Sequence, residues 1–202
     1  MNKGELRAHF KALLNRTDCS DALADTFINQ SISRIERTLR IPPMEKTNTY
    51  NIAGATTFLM VPSDFLEILD LYSDDNNLQR QPLAKMVEME KGGENGTPRF
   101  FCREGEKFRI YPYPTTGSVV LNYYASFPAM TADSDSIDLG LVASDLITYG
   151  ALSYASDYFL DERGQLFEAK YQSFIMELQE QSNDAETSGT VQTMQPVAVY
   201  EE

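Results

Sequence analysis

"FRIYPYPTTGSVVLNYYASFP", residues 108–128, decides how the middle of this chain is read. It alternates as a β-strand does, yet carries four tyrosines and three prolines. In one arrangement Tyr111, Tyr113, Tyr123 and Tyr124 form an exposed aromatic platform beside a proline-rich turn, as on some carbohydrate-binding surfaces. In the other the segment is a hairpin, with Phe108, Ile110, Val120 and Tyr124 in a β-core and Arg109 and Asn122 facing out. Pro112 and Pro114 stand where a strand ends, so the ladder loses no hydrogen bond to them. The absence of tryptophan weakens the sugar-stacking idea. The hairpin core is therefore the expectation, and the segment is scaffold.

Upstream, the period-two pattern reaches back to about residue 46. "TNTYNIA" and "TTFLMVP" read as short strands around a turn at Ala53-Gly54-Ala55. "DFLEILDLYSDD" reads as a strand after Pro62-Ser63-Asp64, and "LAKMVEMEK" as one short helix ended by "GGENG". "TPRFFCRE", "EKFRIYP" and "SVVLNYYASFP" follow as strands, with turns at Glu104-Gly105 and from Pro114 to Gly117. The sum is a small antiparallel sheet or barrel over residues 46–130.

The flanks have helical periods. "GELRAHFKALLNR" places Leu6, Phe10, Leu13 and Leu14 on one face. The next segment continues with Leu23, Phe27, Ile28, Ile32, Ile35 and Leu39. Asp18 is the expected N-cap, Asp21 and Asp25 lie near the positive dipole end, and Arg34, Arg37 and Arg40 near the negative end. Pro42-Pro43 stop this helix. After the acidic connector "PAMTADSDSIDLG", the segment "LVASDLITYGALSYASDYFL" is apolar around most of its circumference. "ERGQLFEAKYQSFIMELQEQ" has Phe167, Tyr171, Phe174, Ile175 and Leu178 on one stripe. The expected class is α+β: a bundle of two N-terminal and two C-terminal helices (1–45 and 138–182), an inserted antiparallel β-domain (46–130) and an extended or disordered tail (183–202).

Charge is uneven. Residues 1–109 carry 15 Lys/Arg against 16 Asp/Glu, whereas residues 110–202 carry only Arg163 and Lys170 against 14 acids. The second half would repel phosphate backbones, which argues against a DNA-gripping groove there. It suits a surface that DNA slides past, a partner's basic patch, or solubility alone. Cys19 and Cys102 are isolated and read as small buried apolar residues in a reducing compartment. No signal core or membrane-length apolar run is apparent, so a soluble cytosolic product is expected.

No catalytic signature is present. His9, the single histidine, lies on a helix and reads as structural. There is no P-loop and no nucleophile elbow. "DSDSIDLG" fails as a calcium loop, because Ile137 and Asp138 occupy the positions that need a ligand and glycine. Carboxylate pairs are plentiful, but none is singled out. No enzyme activity, metal or cofactor is expected.

Four pieces, in order, resemble the head-to-tail adaptor (connector) proteins of tailed bacteriophages, among them relatives of tail tubular protein A. They are "GELRAHFKALLNRTDCSDALADTFINQSISRIERTLRIPPME", "LMVPSDFLEILDL", "FRIYPYPTTGSVVLNYYASFPAMT" and "DLITYGALSYASDYFLDERGQLFEAKYQSFIMEL", covering most of residues 4–178. The resemblance implies a structural virion protein at the head–tail junction, assembled in the host cytoplasm. It implies a ring, usually twelvefold, beneath the portal protein, which extends the DNA channel, retains the genome and carries the next neck or tail protein. DNA passes without specific binding.

Candidate interface residues follow. Leu146, Tyr149, Leu152, Tyr154, Tyr158 and Phe159 lie on the all-round apolar helix, which is either covered by its own bundle or shared with a neighbour. Val197, Val199 and Tyr200 lie in the tail, which either docks on a neighbour or stays disordered. A ring is a heterologous assembly, so two distinct apolar surfaces per subunit are predicted. The alternatives are another neck or baseplate component, or a carbohydrate- or receptor-binding module using the tyrosines.

Overall fold

Helix α1 (Lys3–Leu14) begins with a reciprocal cap: the Glu5 N–H donates to the Asn2 side chain at 2.8 Å, and the Asn2 N–H donates to Glu5 at 3.0 Å. Helix α2 (Asp21–Thr38) is capped by Ser20, whose Oγ accepts from Leu23 N–H at 3.2 Å. This corrects the assignment of Asp18, which lies too early in the chain and pairs with Arg16 at 2.8 Å instead. The computed structural model describes residues 1–73 and 76–187.

A 3-10 turn at Pro42–Met44 leads into β1 (Glu45–Ala53). There follow β2 (Phe58–Met60), β3 (Phe65–Ser73), β4 (Asn76–Asn77), β5 (Gln79–Arg80), α3 (Leu83–Glu90), β6 (Phe100–Glu104), β7 (Lys107–Tyr111) and β8 (Thr116–Ala125). The chain closes with α4 (Asp138–Val142), α5 (Ser144–Phe159) and α6 (Gly164–Thr187). The α+β class stands. The apolar run read as one helix is broken at Ala143, which leaves the helical region at φ −140°, ψ 57°. Helix α6 continues past residue 182, to Thr187.

The strands form two four-stranded sheets, ordered β1-β8-β3-β4 and β2-β7-β6-β5. All pairings are antiparallel except β5 with β6. Residues 108–128 are therefore not a hairpin: β7 and β8 belong to different sheets, and so do β1 and β2. Proline supplies the reason. Pro112, after a cis peptide bond, and Pro114 have no N–H to continue a ladder. The two crossings lie side by side, with Gly54 N–H donating to Thr115 O at 2.9 Å and Thr56 N–H to Pro114 O at 3.0 Å. Gly54 (φ 122°) and Gly117 (φ 99°) adopt backbone that favours glycine.

Leu71, Phe101, Phe108, Ile110, Val119, Leu121 and Tyr123 fill the core between the sheets. The expected facing of β8 is corrected by one residue. Val119, Leu121 and Tyr123 point into this core, while Tyr124 faces the helices and joins their core. Val120, Asn122 and Tyr124 share one face of the strand, as period two requires. Helix α3 covers the second sheet through Met86, which packs with Cys102 and Tyr111.

Helix α5 is the centre of the bundle and touches α1, α2, α4 and α6. Leu146, Ile147, Ala151, Leu152 and Ala155 are all inaccessible to solvent; each large side chain among them stabilises the fold by about 1.5–3 kcal/mol. The closest approach is at Gly150, where an added Cβ would lie 2.2 Å from Ser31 Oγ on α2 and 3.0 Å from the Tyr171 ring on α6. Ser31 is held there by donating to Ile147 O at 2.9 Å. Gly150→Ala would gain about 1 kcal/mol of helix propensity, but the overpacking outweighs it. A net loss of about 1–3 kcal/mol is expected in urea unfolding. Unchanged stability would show that the helices are not held at this spacing.

Candidate functional site

The tyrosine platform is absent among the described residues. Tyr111, Tyr123 and Tyr124 are buried, and Tyr113 stands edge-on to Tyr111 at 5.5 Å. The Tyr123 hydroxyl donates to Asp64 at 3.0 Å, and its pKa is pushed up to about 12 by burial and by that carboxylate. Two aspartates of the connector are likewise engaged. Asp133 binds Arg7 at 2.8 Å, and Asp135 accepts the N–H groups of Thr131 and Ala132 at 2.8 and 2.7 Å. Among the described residues no group of three His, Cys, Asp or Glu side chains could hold a metal. Burial raises the pKa of both the Cys19 and Cys102 thiols, which disfavours the reactive thiolate.

The interface candidates separate into three groups. Leu146 and Leu152 are wholly enclosed by the subunit's own bundle and offer no surface to a neighbour. Tyr149 and Tyr154 are half-buried along α5. The Tyr149 ring packs against Phe174 at 5.7 Å, and its hydroxyl accepts from Lys170 at 3.1 Å. Tyr154 lies under the Arg34 guanidinium at 5.9 Å. Only Tyr158 and Phe159 come together at an accessible place. Tyr158 is 63% exposed and packs edge-on against Phe159 at 4.8 Å. The Arg16 guanidinium covers Phe159 at 4.4 Å. Val197, Val199 and Tyr200 lie outside the described residues.

Sequence reasoning missed what surrounds that aromatic pair. Leu160, the residue after α5, is 89% exposed, and Leu166 on the first turn of α6 is 55% exposed. The signal was available: "YFLDERG" ends a helix without glycine or asparagine at the position that favours them. At the other end of α5, Leu141 and Val142 are 68% and 64% exposed. Val142 borders an apolar cleft of about 200 Å³ with Ile41, Pro42, Pro43 and Leu178. Exposed apolar residues thus occur at both ends of α5, as they also do on β2 (Phe58, Met60), β3 (Leu69), α3 (Leu83, Val87) and α6 (Met176).

A charged strap closes the bundle between those ends. Arg34 on α2 makes two hydrogen bonds to Glu168 on α6, at 2.8 and 2.5 Å, and its guanidinium lies 4.2 Å from the Tyr171 ring centre. The Arg34 hydrogen bonds hold the Glu168 carboxyl down to about 2, against the opposing effect of burial and with help from Gln172 and Ser153. A depressed carboxylate pKa gives stability that is complete above the ordinary value of 4.5 and is lost as pH falls towards about 2. Glu168→Gln should therefore be less stable than the parent at neutral pH, and the two stabilities should converge in acid. Urea midpoints across pH measure this, and a constant gap would refute the assignment.

The site that emerges is a set of exposed apolar side chains at helix ends, with both thiols buried and two connector carboxylates engaged in local hydrogen bonds and an ion pair. The sequence matches the model of the SU10 adaptor protein family over residues 1–196, and the chain belongs to that family. Its role is that of a phage adaptor, structural and placed at the head–tail junction. No curated protein matches the sequence. No helix among the described residues is long and apolar enough to cross a membrane.

Proposed function

We propose that this chain is a head-to-tail adaptor whose copies close into a ring, usually twelvefold in related connectors, on the portal protein. The ring extends the DNA channel, helps retain the genome and supports the next neck or tail protein. Membership of the adaptor family along nearly the whole chain carries this reading. The order of the four resembling segments favours kinship with tail tubular protein A. Two further features are consistent with it. The subunit leaves apolar side chains at both ends of α5, as a heterologous contact requires. Residues 110–202 carry 14 acids against two cations, so a channel wall built from them would let a polyanion pass without gripping it.

The bundle (1–45 and 138–182) and the inserted β-domain (46–130) serve as separate contact bodies in this reading, and Val197, Val199 and Tyr200 dock on a neighbour. Antibody labelling of intact particles, viewed by electron microscopy, should mark a ring at the head–tail junction. Label at the distal tail tip, or none on the particle, would sink the adaptor reading. Removing residues 188–202 should lower incorporation into particles while circular dichroism keeps its helical signal. Normal incorporation would end the docking-tail idea.

A further inference from the structure

Leu160 is the outlier from which the subunit contact can be read. It ends α5 at φ 55°, ψ 45°, a left-handed backbone ordinarily given to glycine or asparagine, and its side chain is 89% exposed. The left-handed turn closes α5 onto α6, with Asp161 N–H donating to Ser156 O at 2.9 Å, but that turn does not require an exposed leucine side chain. Tyr158 and Leu166 are exposed nearby, so the α5–α6 corner is an apolar knob. Its rim is acidic. Asp157 and Glu162 are exposed and have no ion pair among the described residues. Residues 144–187 as a whole hold nine acids against two cations.

A surface of opposite character lies on the β-sheets. Two clefts, of about 100 and 420 Å³, share Arg80 and Arg103 as a wall. The smaller has Phe65, Ile68, Phe101 and Phe108 beneath it, and the larger is edged by Leu83, 43% exposed. Arg103 stacks over Phe65 at 4.8 Å and donates to Gly105 O at 3.2 Å. Neither arginine has a carboxylate partner among the described residues, since Glu67, the one acid lining either cleft, is taken by Arg40 at 2.8 Å. Seven cations stand against five acids between residues 78 and 109.

Helix α2 separates the two surfaces. Near its start, Phe27 packs against Tyr158 at 5.7 Å. Near its end, Glu36 accepts the Phe127 N–H and Arg40 holds Glu67, each at 2.8 Å, which fixes the β-sheets there. From Phe27 to Glu36 the helix rises about 14 Å, which sets the two anchor points apart along α2. In a closed ring of twelve, a subunit's two contact patches face directions about 150° apart, so patches near opposite ends of the molecule are what closure needs.

We propose that the α5–α6 corner of one copy seats on the Arg80–Arg103 wall of the next. Leu160 and Tyr158 meet the apolar floor, and Asp157 and Glu162 pair with the two arginines. The occupant is a second copy of this chain, chosen by charge complementarity. The inference rests on the ring reading.

The test supplies variant full-length chains to assembling particles and measures copies per particle and the Tm of the free chain. Leu160→Gly should leave Tm unchanged or raised, because the backbone strain is relieved, yet lower incorporation by about tenfold. Arg80→Glu with Arg103→Glu, and separately Asp157→Arg with Glu162→Arg, should each cause a loss of about tenfold. The chain carrying all four changes should recover to within about twofold of the parent. Normal incorporation of Leu160→Gly or of the arginine variant, or failure of the fourfold chain to recover, would overturn the contact. If parental chain still labels the neck, the adaptor reading survives that failure. If it does not label the neck, both fall.

Discussion

The missing side chain at Gly150 sets the spacing of the whole bundle. With no Cβ in the way, Ser31 and the Tyr171 ring close on α5 from α2 and α6. Ser31, inaccessible to solvent, then donates its hydroxyl to Ile147 O. At this spacing Arg34 reaches across to Glu168, and its guanidinium carbon lies 4.2 Å from the Tyr171 ring centre. Close packing here buries Leu146, Ile147, Ala151, Leu152 and Ala155 completely and leaves Tyr149, Ser153 and Tyr154 half-buried. The apolar circumference that a free helix would offer to partners is used up by the subunit itself.

On α5 and its immediate neighbours, the most exposed apolar side chains lie at the two ends of the helix. At one end α5 stops on a left-handed leucine beside Tyr158; at the other, α4 and the Pro42-Pro43 turn leave an apolar cleft. The β-sheets are fastened at the second end by Arg40–Glu67, by Glu36 with the Phe127 N–H, and by Tyr124 entering the helical core. This gives the molecule a polarity, with an acidic helical corner at one extremity and an arginine-walled sheet surface towards the other. Both thiols are buried in packing, and Asp133 and Asp135 of the connector hold an ion pair and a turn.

The helices were legible because their signals are local. Apolar spacing, proline stops and dipole charges all act within a few residues, and they placed α1, α2, α3 and most of α5 and α6. The Ser20 cap and the break at Ala143 were missed, since a one- or two-residue choice of cap depends on backbone geometry that composition does not record. Four separate sequence segments in order gave the adaptor resemblance, and the family match along residues 1–196 agrees with its coarse part.

The strands show the opposite case. Period two identified all but the two-residue β4 and β5, which are too short to show a period, and the partner of a strand is a long-range matter. β1 pairs with β8 across some 70 residues, and the prolines that read as a hairpin turn instead send the chain from one sheet to the other. The candidate surface followed the same division. Tyr158 and Phe159 were visible as apolar residues on a helix, yet Leu146, from the same pattern, lies wholly within the core. By itself the sequence determined element types, the charge asymmetry and the family, because each follows from residue chemistry read along the chain. Only the tertiary structure decided which apolar side chains are spent on the fold and which are left over, because burial depends on what the rest of the chain brings alongside.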